Sequence, residues 1–283
     1  MDLAGLLRAH REDGMKTRIG FLGGGRIARA LAGGLIQGGK DSWVLAASTR
    51  TRESGEAFRK AVPEARLYPE ERNRELVEQS DIVFLCVKPP EAPGVLRQVG
   101  AVTGGKWIVS VAAGLSLAKI ASLVASSARI VRAMPNLPVR IGSGVIPYCL
   151  GPGWEDRNRE EIRNLLGRFG EAIEIEEPLF PLATVLAGCG PAYYCAFLAC
   201  MLRFAEESGL PAQEACGMLL ATASGAIELL KQTDLDPAEV VAESRTPGGI
   251  THAALSVLEQ EGWHEALRRA LAAAWHRAKS LET

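Results

Sequence analysis

A glycine-rich turn between an apolar run and a helix start constrains this chain more than any other segment. Arg18-Ile19-Gly20-Phe21-Leu22 reads as a buried strand, and Gly23-Gly24-Gly25-Arg26-Ile27-Ala28 follows it in the pattern G-x-G-x-x-A. Each small residue has a physical reason. Gly23 permits the tight turn, Gly25 lets backbone N–H groups approach a pyrophosphate, and Ala28 lets the helix pack against the strand. The helix N-terminus, with Arg26 and Ile27 in its first turn, then turns its dipole toward the anion. Glycine-rich strand-to-helix turns also arise for purely geometric reasons, so context decides. Here the motif opens a chain that goes on alternating apolar runs with amphipathic stretches, the pattern of an α/β fold with a doubly wound sheet.

The cradle helix carries Ala30, Leu31, Leu35 and Ile36 at helical spacing and breaks at Gly38-Gly39. A second strand, Trp43 to Ala47, ends in Ser48-Thr49-Arg50-Thr51-Arg52. Folds that prefer NAD place Asp or Glu about 20 residues beyond the glycines to hold the ribose 2′-hydroxyl. No carboxylate stands at this strand end. The hydroxyls of Ser48 and Thr49 and the guanidinium of Arg50 suit a 2′-phosphate, because Arg donates two parallel charge-assisted hydrogen bonds to it. NADPH is therefore the expected cofactor, with NADH as the open alternative and a solvated loop as the plain one.

Three more strands end in small residues and prolines. Ser80 to Val87 is followed by Lys88-Pro89-Pro90, where two prolines forbid immediate helix. Trp107 to Val111 stops at Ala112-Ala113-Gly114, and Arg129 to Ala133 stops at Met134-Pro135-Asn136-Leu137-Pro138. The carboxyl ends of a doubly wound sheet line its ligand site, so Val87, Lys88, Pro89, Ala112 and Asn136 join the candidate cofactor contacts. Each segment is also ordinary loop chemistry. Short strands at Gly144 to Tyr148 and Ala172 to Glu176 flank an amphipathic helix from Glu155 to Arg168 and finish the sheet.

Past Glu177-Pro178 the texture changes to Ala, Leu, Cys and Met at helical spacing. Helices are expected at Pro191 to Glu207, Pro211 to Lys231, Gly249 to Gln260 and His264 to Leu281, separated by Gly209, Asp234 and Gly262. The chain thus divides into an N-terminal extension (1–16), a dinucleotide-binding domain (17–178) and a helical domain (179–283). Met15 begins where such a domain would naturally start, so the preceding residues are either a flexible arm or an overlong gene start. The helix from Pro211 is apolar nearly all round and needs burial on more than one side, which points to homodimerisation. Cys195, Cys200, Met201 and Cys216 fit that packing role better than a redox one.

Composition excludes several classes. With 32 basic and 33 acidic residues the chain has no electrostatic footprint for nucleic acid or an anionic membrane. Six cysteines form no C-x-x-C pair and four histidines do not cluster, so no metal is expected. No signal peptide is legible and no uncharged apolar run of about 18 residues is expected, which makes a cytoplasmic location with reduced thiols the default.

Two segments carry specific glycine-proline punctuation: Gly188-Cys189-Gly190-Pro191-Ala192-Tyr193 and Thr246-Pro247-Gly248-Gly249-Ile250-Thr251. Together with Gly23 to Ala28, Val87-Lys88-Pro89, Ala112-Ala113-Gly114 and Met134-Pro135-Asn136, in order from Thr17 to the C-terminus, the chain resembles the pyrroline-5-carboxylate reductase family. The resemblance implies a Rossmann-like domain, an all-helical domain that interlocks with a partner subunit, and NAD(P)H-dependent reduction of a cyclic imine. It assigns Thr251 to orient the imine nitrogen, and Thr246, Gly248, Gly249 and Ile250 to the turn that holds the substrate carboxylate. Backbone N–H groups at a helix N-terminus suit that anion, although such a turn also serves as a plain helix cap. These motifs hold no strong general acid, which an imine tolerates because its basic nitrogen enters protonated.

Some positions leave the family pattern S-G-S-G-P-A-Y: Ala187 and Cys189 lack its two hydroxyls. Arg26 stands where Asn is common, Pro181 where an acidic residue is common, Leu137 in place of Thr, and Ile250 in place of a small residue or Thr. Val240 to Arg245 lacks the usual Lys-Asp pair. A divergent paralogue acting on another cyclic imine and a cofactor-binding regulator without turnover both stay open. A β-hydroxyacid dehydrogenase is the third alternative, but its lysine would fall at Tyr194.

Overall fold

The computed structural model describes residues 16–37 and 42–282. All but Lys16 of the expected extension, and the Gly38-Gly39 break, lie outside the described residues. Among those described, eight strands form one sheet in the order β3-β2-β1-β4-β5-β6-β7-β8. They are β1 (Thr17–Leu22), β2 (Trp43–Thr49), β3 (Arg66–Pro69), β4 (Ile82–Leu85), β5 (Trp107–Ser110), β6 (Arg129–Ala133), β7 (Gly144–Leu150) and β8 (Gly170–Glu174). β1 is flanked by β2 and β4 in parallel, so the chain reverses its winding there and opens a crevice at the strands' carboxyl ends.

Helices cross between the parallel strands: α1 (Arg26–Gln37), α2 (Arg52–Ala61), α3 (Asn73–Glu78), α4 (Ala92–Val99) and α5 (Leu117–Ala121). β7 runs antiparallel to β6. Only a short 3-10 turn, Leu137–Ile141, links these two strands, and a parallel return needs a longer crossover. Helix α6 (Asp156–Gly167) supplies one, and β8 is again parallel to β7. The edge strand β3 escapes sequence reading because its burial pattern leaves Tyr68 alone fully inside.

Alternate side chains fill the two faces of the sheet. Phe21 and Phe84 stack at 5.2 Å on one face, with Phe169 edge-on to Phe84 at 6.4 Å. Leu22, Val83, Leu85 and Ile108 pack on the other. Burial on both faces is why β4 is apolar at every position.

After β8 come a short helix α7 (Phe180–Ala183), a π-helical turn at Thr184–Gly188, then α8 (Gly190–Glu207), α9 (Ala212–Gln232), α10 (Pro237–Ser244), α11 (Ile250–Gln260) and α12 (Trp263–Ser280). Sequence periodicity missed α10, which starts with a reciprocal capping box between Asp236 and Glu239. The chain packs as two compact units, one running to Pro191 and resuming at Trp275, the other Ala192–Ala274. This packing division lies beyond the change of composition at 178/179. The reason is that Glu177 accepts from the Leu117 N–H at 2.6 Å, Phe180 is buried beneath Arg132, and Ala187 is tied to Asn136, so 177–191 adheres to the sheet unit.

In the second unit the helices bury little of their own surface. Within α9 only Ala215 is buried, and Tyr194, Phe197, Phe204 and Met218 are each at least 60% exposed. Cys195, Cys200 and Cys216 are exposed as well, so the packing role expected of them is not met inside a single chain. The sequence expectation about uncharged runs is also corrected: Pro178 to Leu202 contains no charged residue, and Glu177–Glu207 is long and apolar enough to cross a membrane by length and composition. Pro181 and Pro191 interrupt it, and their effect is a helix broken by the π-helical turn.

Candidate functional site

The glycine turn is held from both neighbouring strands. Gly23 adopts φ +93°, open to glycine, and a Cβ there would press on Val87 and the Cys86 backbone. Its N–H donates to the buried Ser48 Oγ at 3.4 Å. A Cβ on Gly24 would meet Thr49, whereas one on Gly25 would meet nothing within 4 Å. Residues 23 and 24 are therefore packed against protein, and Gly25 faces open space. Beyond it α1 begins with no acidic residue in its first turn and with Ala28 fully buried. A pyrophosphate fits this arrangement: free N–H groups, the positive end of a helix and no side chain in the way.

Of the residues expected at the end of β2, Ser48 supports the glycine turn and Thr49 is wedged between Gly24 and Gly55. Arg50 is exposed, and its Nη1 donates to Glu91 Oε1 at 2.8 Å. Glu91 is a residue that sequence reading missed; only its place two residues after Pro89 hinted at it. The Arg50 guanidinium holds the Glu91 carboxyl below the usual carboxylate range, and the Arg50 pKa is raised in return. Lys88 and Pro89 are exposed at the same edge, while Val87 packs under Gly23 and Ala112 is buried. Arg26 and Ile27 line a groove of about 440 Å³ with Arg29, Leu137 and Arg140.

Asn136, an expected cofactor contact, has both ends of its amide bonded within the protein. It is buried, its Nδ2 donates to the Ala187 carbonyl at 3.1 Å, and its Oδ1 accepts from the Val145 N–H at 3.0 Å. Ala187 needs that donor because its ordinary helical partner four residues on is Pro191, which has no N–H. The amide thus ties the π-helical turn to β7.

The turn Thr246 to Thr251 belongs to the second unit and is described on its own. Gly248 adopts φ +72°, Gly249 donates to the Thr246 carbonyl at 2.9 Å, and α11 starts at Ile250 with no side chain capping it. Its first N–H groups face solvent beside the exposed Thr251 and the 92% exposed Ile250. Arg245, unremarked in the sequence, braces the turn with two bonds to Glu259 at 2.6 and 2.9 Å and one to His252 Nδ1 at 3.3 Å. Among the described residues no cluster of His, Cys, Asp or Glu could hold a metal.

Sheet order, glycine turn and open helix end define a dinucleotide-binding oxidoreductase architecture. Residues 18–114 match the model described as NADP oxidoreductase, coenzyme F420-dependent, and residues 177–281 match pyrroline-5-carboxylate reductase dimerisation. Pyrroline-5-carboxylate reductase 3 of Rattus norvegicus is 34% identical over 266 residues, covering 93% of this chain and 96% of its own. The pyrroline carboxylate reductase of Plasmodium falciparum, solved with NADP bound, superposes with a TM-score of 0.86 at 26% identity, over 94% of this chain and 98% of that one. The enzyme of Streptococcus pyogenes gives 0.85 at 26% identity, over 94% and 99%. This chain belongs to the pyrroline-5-carboxylate reductase family.

Proposed function

We propose that this chain reduces 1-pyrroline-5-carboxylate to L-proline with NADPH. The observation that carries the reading is the pairing of an open glycine cradle at the reversal of the sheet with relatives of that activity along nearly the full chain. When bound, the reduced nicotinamide supplies the hydride. The protein's share is binding and alignment. Gly23 shapes the turn, Gly25 and the first N–H groups of α1, at Arg26 and Ile27, take the pyrophosphate, and Arg50 takes the 2′-phosphate. Val87, Lys88, Pro89 and Ala112 border the crevice, with Ser48, Thr49 and Asn136 fixing the backbone beside it. On the helical side, the amides of Gly248, Gly249, Ile250 and Thr251 hold the substrate carboxylate, with Thr246 closing the turn. The Thr251 hydroxyl orients the ring nitrogen, and the iminium form of the substrate removes the need for a strong acid.

The minimum unit is a homodimer in the cytoplasm, divided functionally near residue 178. The uncovered aromatic and thiol side chains of α8 and α9 coincide with the segment matched by the dimerisation model, which supports a second copy rather than lipid as their cover. Neither a nucleic acid nor a membrane partner is part of this reading. The test is loss of nicotinamide absorbance with purified protein, NADPH and pyrroline-5-carboxylate. Cofactor binding without turnover of any cyclic imine would move the reading to a regulator.

A further inference from the structure

We propose that Glu91 sets how strongly this chain selects a 2′-phosphorylated dinucleotide, by competing with that phosphate for Arg50. The inference deepens the cofactor assignment and rests on NADPH being the reductant. Arg50 follows the carboxyl end of β2 and Glu91 follows that of β4, and β1 lies between those two strands. Their 2.8 Å bond therefore spans the mouth of the crevice on the side where the glycine turn sits. Ser48 accepts from the Gly23 N–H, and Thr49 is packed closely against Gly24 and Gly55. Of the two exposed arginines at this strand end, Arg52 is turned to Glu56 one helical turn further on, at 2.7 Å, and Arg50 is the one whose guanidinium a carboxylate engages across the crevice.

A ribose 2′-phosphate carries close to two negative charges and offers Arg50 a better acceptor geometry than a single carboxylate oxygen. Arg50 must release Glu91, or share itself, for that contact to form. Glu91 then faces the phosphate as a like charge, with Lys88 a further cation acting on Glu91 and Glu70 a further carboxylate acting on Arg50. A dinucleotide with a free 2′-hydroxyl requires no such exchange and leaves the Arg50–Glu91 pair intact. The carboxylate thus reduces the advantage of the phosphorylated cofactor without touching the unphosphorylated one. Because both side chains are partly solvated, the effect is modest and weakens with salt.

The test compares 2′,5′-ADP with 5′-AMP, which differ only in the phosphate at issue, by calorimetric titration of the whole protein. Wild type, Glu91→Gln, Arg50→Ala and the double variant are measured. Gln keeps the shape of Glu91 and removes its charge, and circular dichroism confirms folding of each variant. The expected result is about 3- to 10-fold tighter 2′,5′-ADP binding in Glu91→Gln, unchanged 5′-AMP binding, and no gain when Arg50 is also absent. The proposal is overturned if Glu91→Gln leaves the ratio of the two affinities unchanged, or if the gain persists without Arg50. If wild type binds both nucleotides equally and Arg50→Ala alters neither, the NADPH assignment fails with it, a pattern distinct from the first two.

Discussion

Arg132 in the middle of the sheet is bound by Glu282, 150 residues later, through two parallel hydrogen bonds of 2.8 and 2.6 Å. Arg132 is 2% exposed, donates a third bond to Glu177 at 3.1 Å and lies 4.3 Å over the Phe180 ring. A guanidinium so deep needs both carboxylates, and removing one leaves it partly uncompensated. Glu282→Gln is expected to lower stability by about 1–3 kcal/mol, read as a shift in urea midpoint. The combined Glu177→Gln and Glu282→Gln change should cost more than the two single changes together.

Two glycines of one motif should behave in opposite ways. Gly23→Ala strains a positive φ and presses on Val87, so it lowers thermal stability. Gly25→Ala projects into open space, so it leaves the melting temperature nearly unchanged while weakening NADPH binding. Thermal melts and fluorescence titration of both variants separate the two effects.

Asn136→Asp keeps the acceptor for Val145 and loses the donor to Ala187. The new carboxylate oxygen would face a carbonyl. A destabilisation of about 1–3 kcal/mol follows for a buried acceptor left unsatisfied, measured by denaturant unfolding. Direct cofactor affinity should fall less than stability does.

Thr251 is exposed and makes no bond that holds the turn, which Arg245 and Gly249 brace instead. Thr251→Ala should therefore leave stability unchanged. Loss of a hydrogen bond to a charged ring nitrogen lowers kcat/KM for the imine roughly 10- to 100-fold, with NADPH affinity intact. Arg245→Ala, by contrast, should raise KM by loosening the carboxylate turn.

Burial raises the Cys149 thiol to about 12, against about 8.5 in an unfolded chain. Between these values the unfolded state has lost its proton and the folded state retains it, so stability falls as pH rises through that window. Cys149→Ser should flatten this part of the pH–stability curve. At pH 8 a thiol reagent should spare Cys86 and Cys149, label Cys195, Cys200 and Cys216 in dissociated chains, and label the latter three more slowly in the oligomer.

Local regularities were legible from residues alone. The strand Thr17–Leu22, the glycine turn, the buried strands β4, β5 and β6 and the long helices each announce themselves through periodicity or punctuation within a dozen residues. So did the family, because six motifs in order are a local signal repeated. What stayed hidden depends on partners distant in the chain: the antiparallel β7, the half-exposed β3, the capture of Arg50 by Glu91, the use of Asn136 to cap a carbonyl orphaned by Pro191, and the anchoring of Glu282 on Arg132. A side chain's type states which bonds it can make, and only packing in three dimensions decides which of them is nearest.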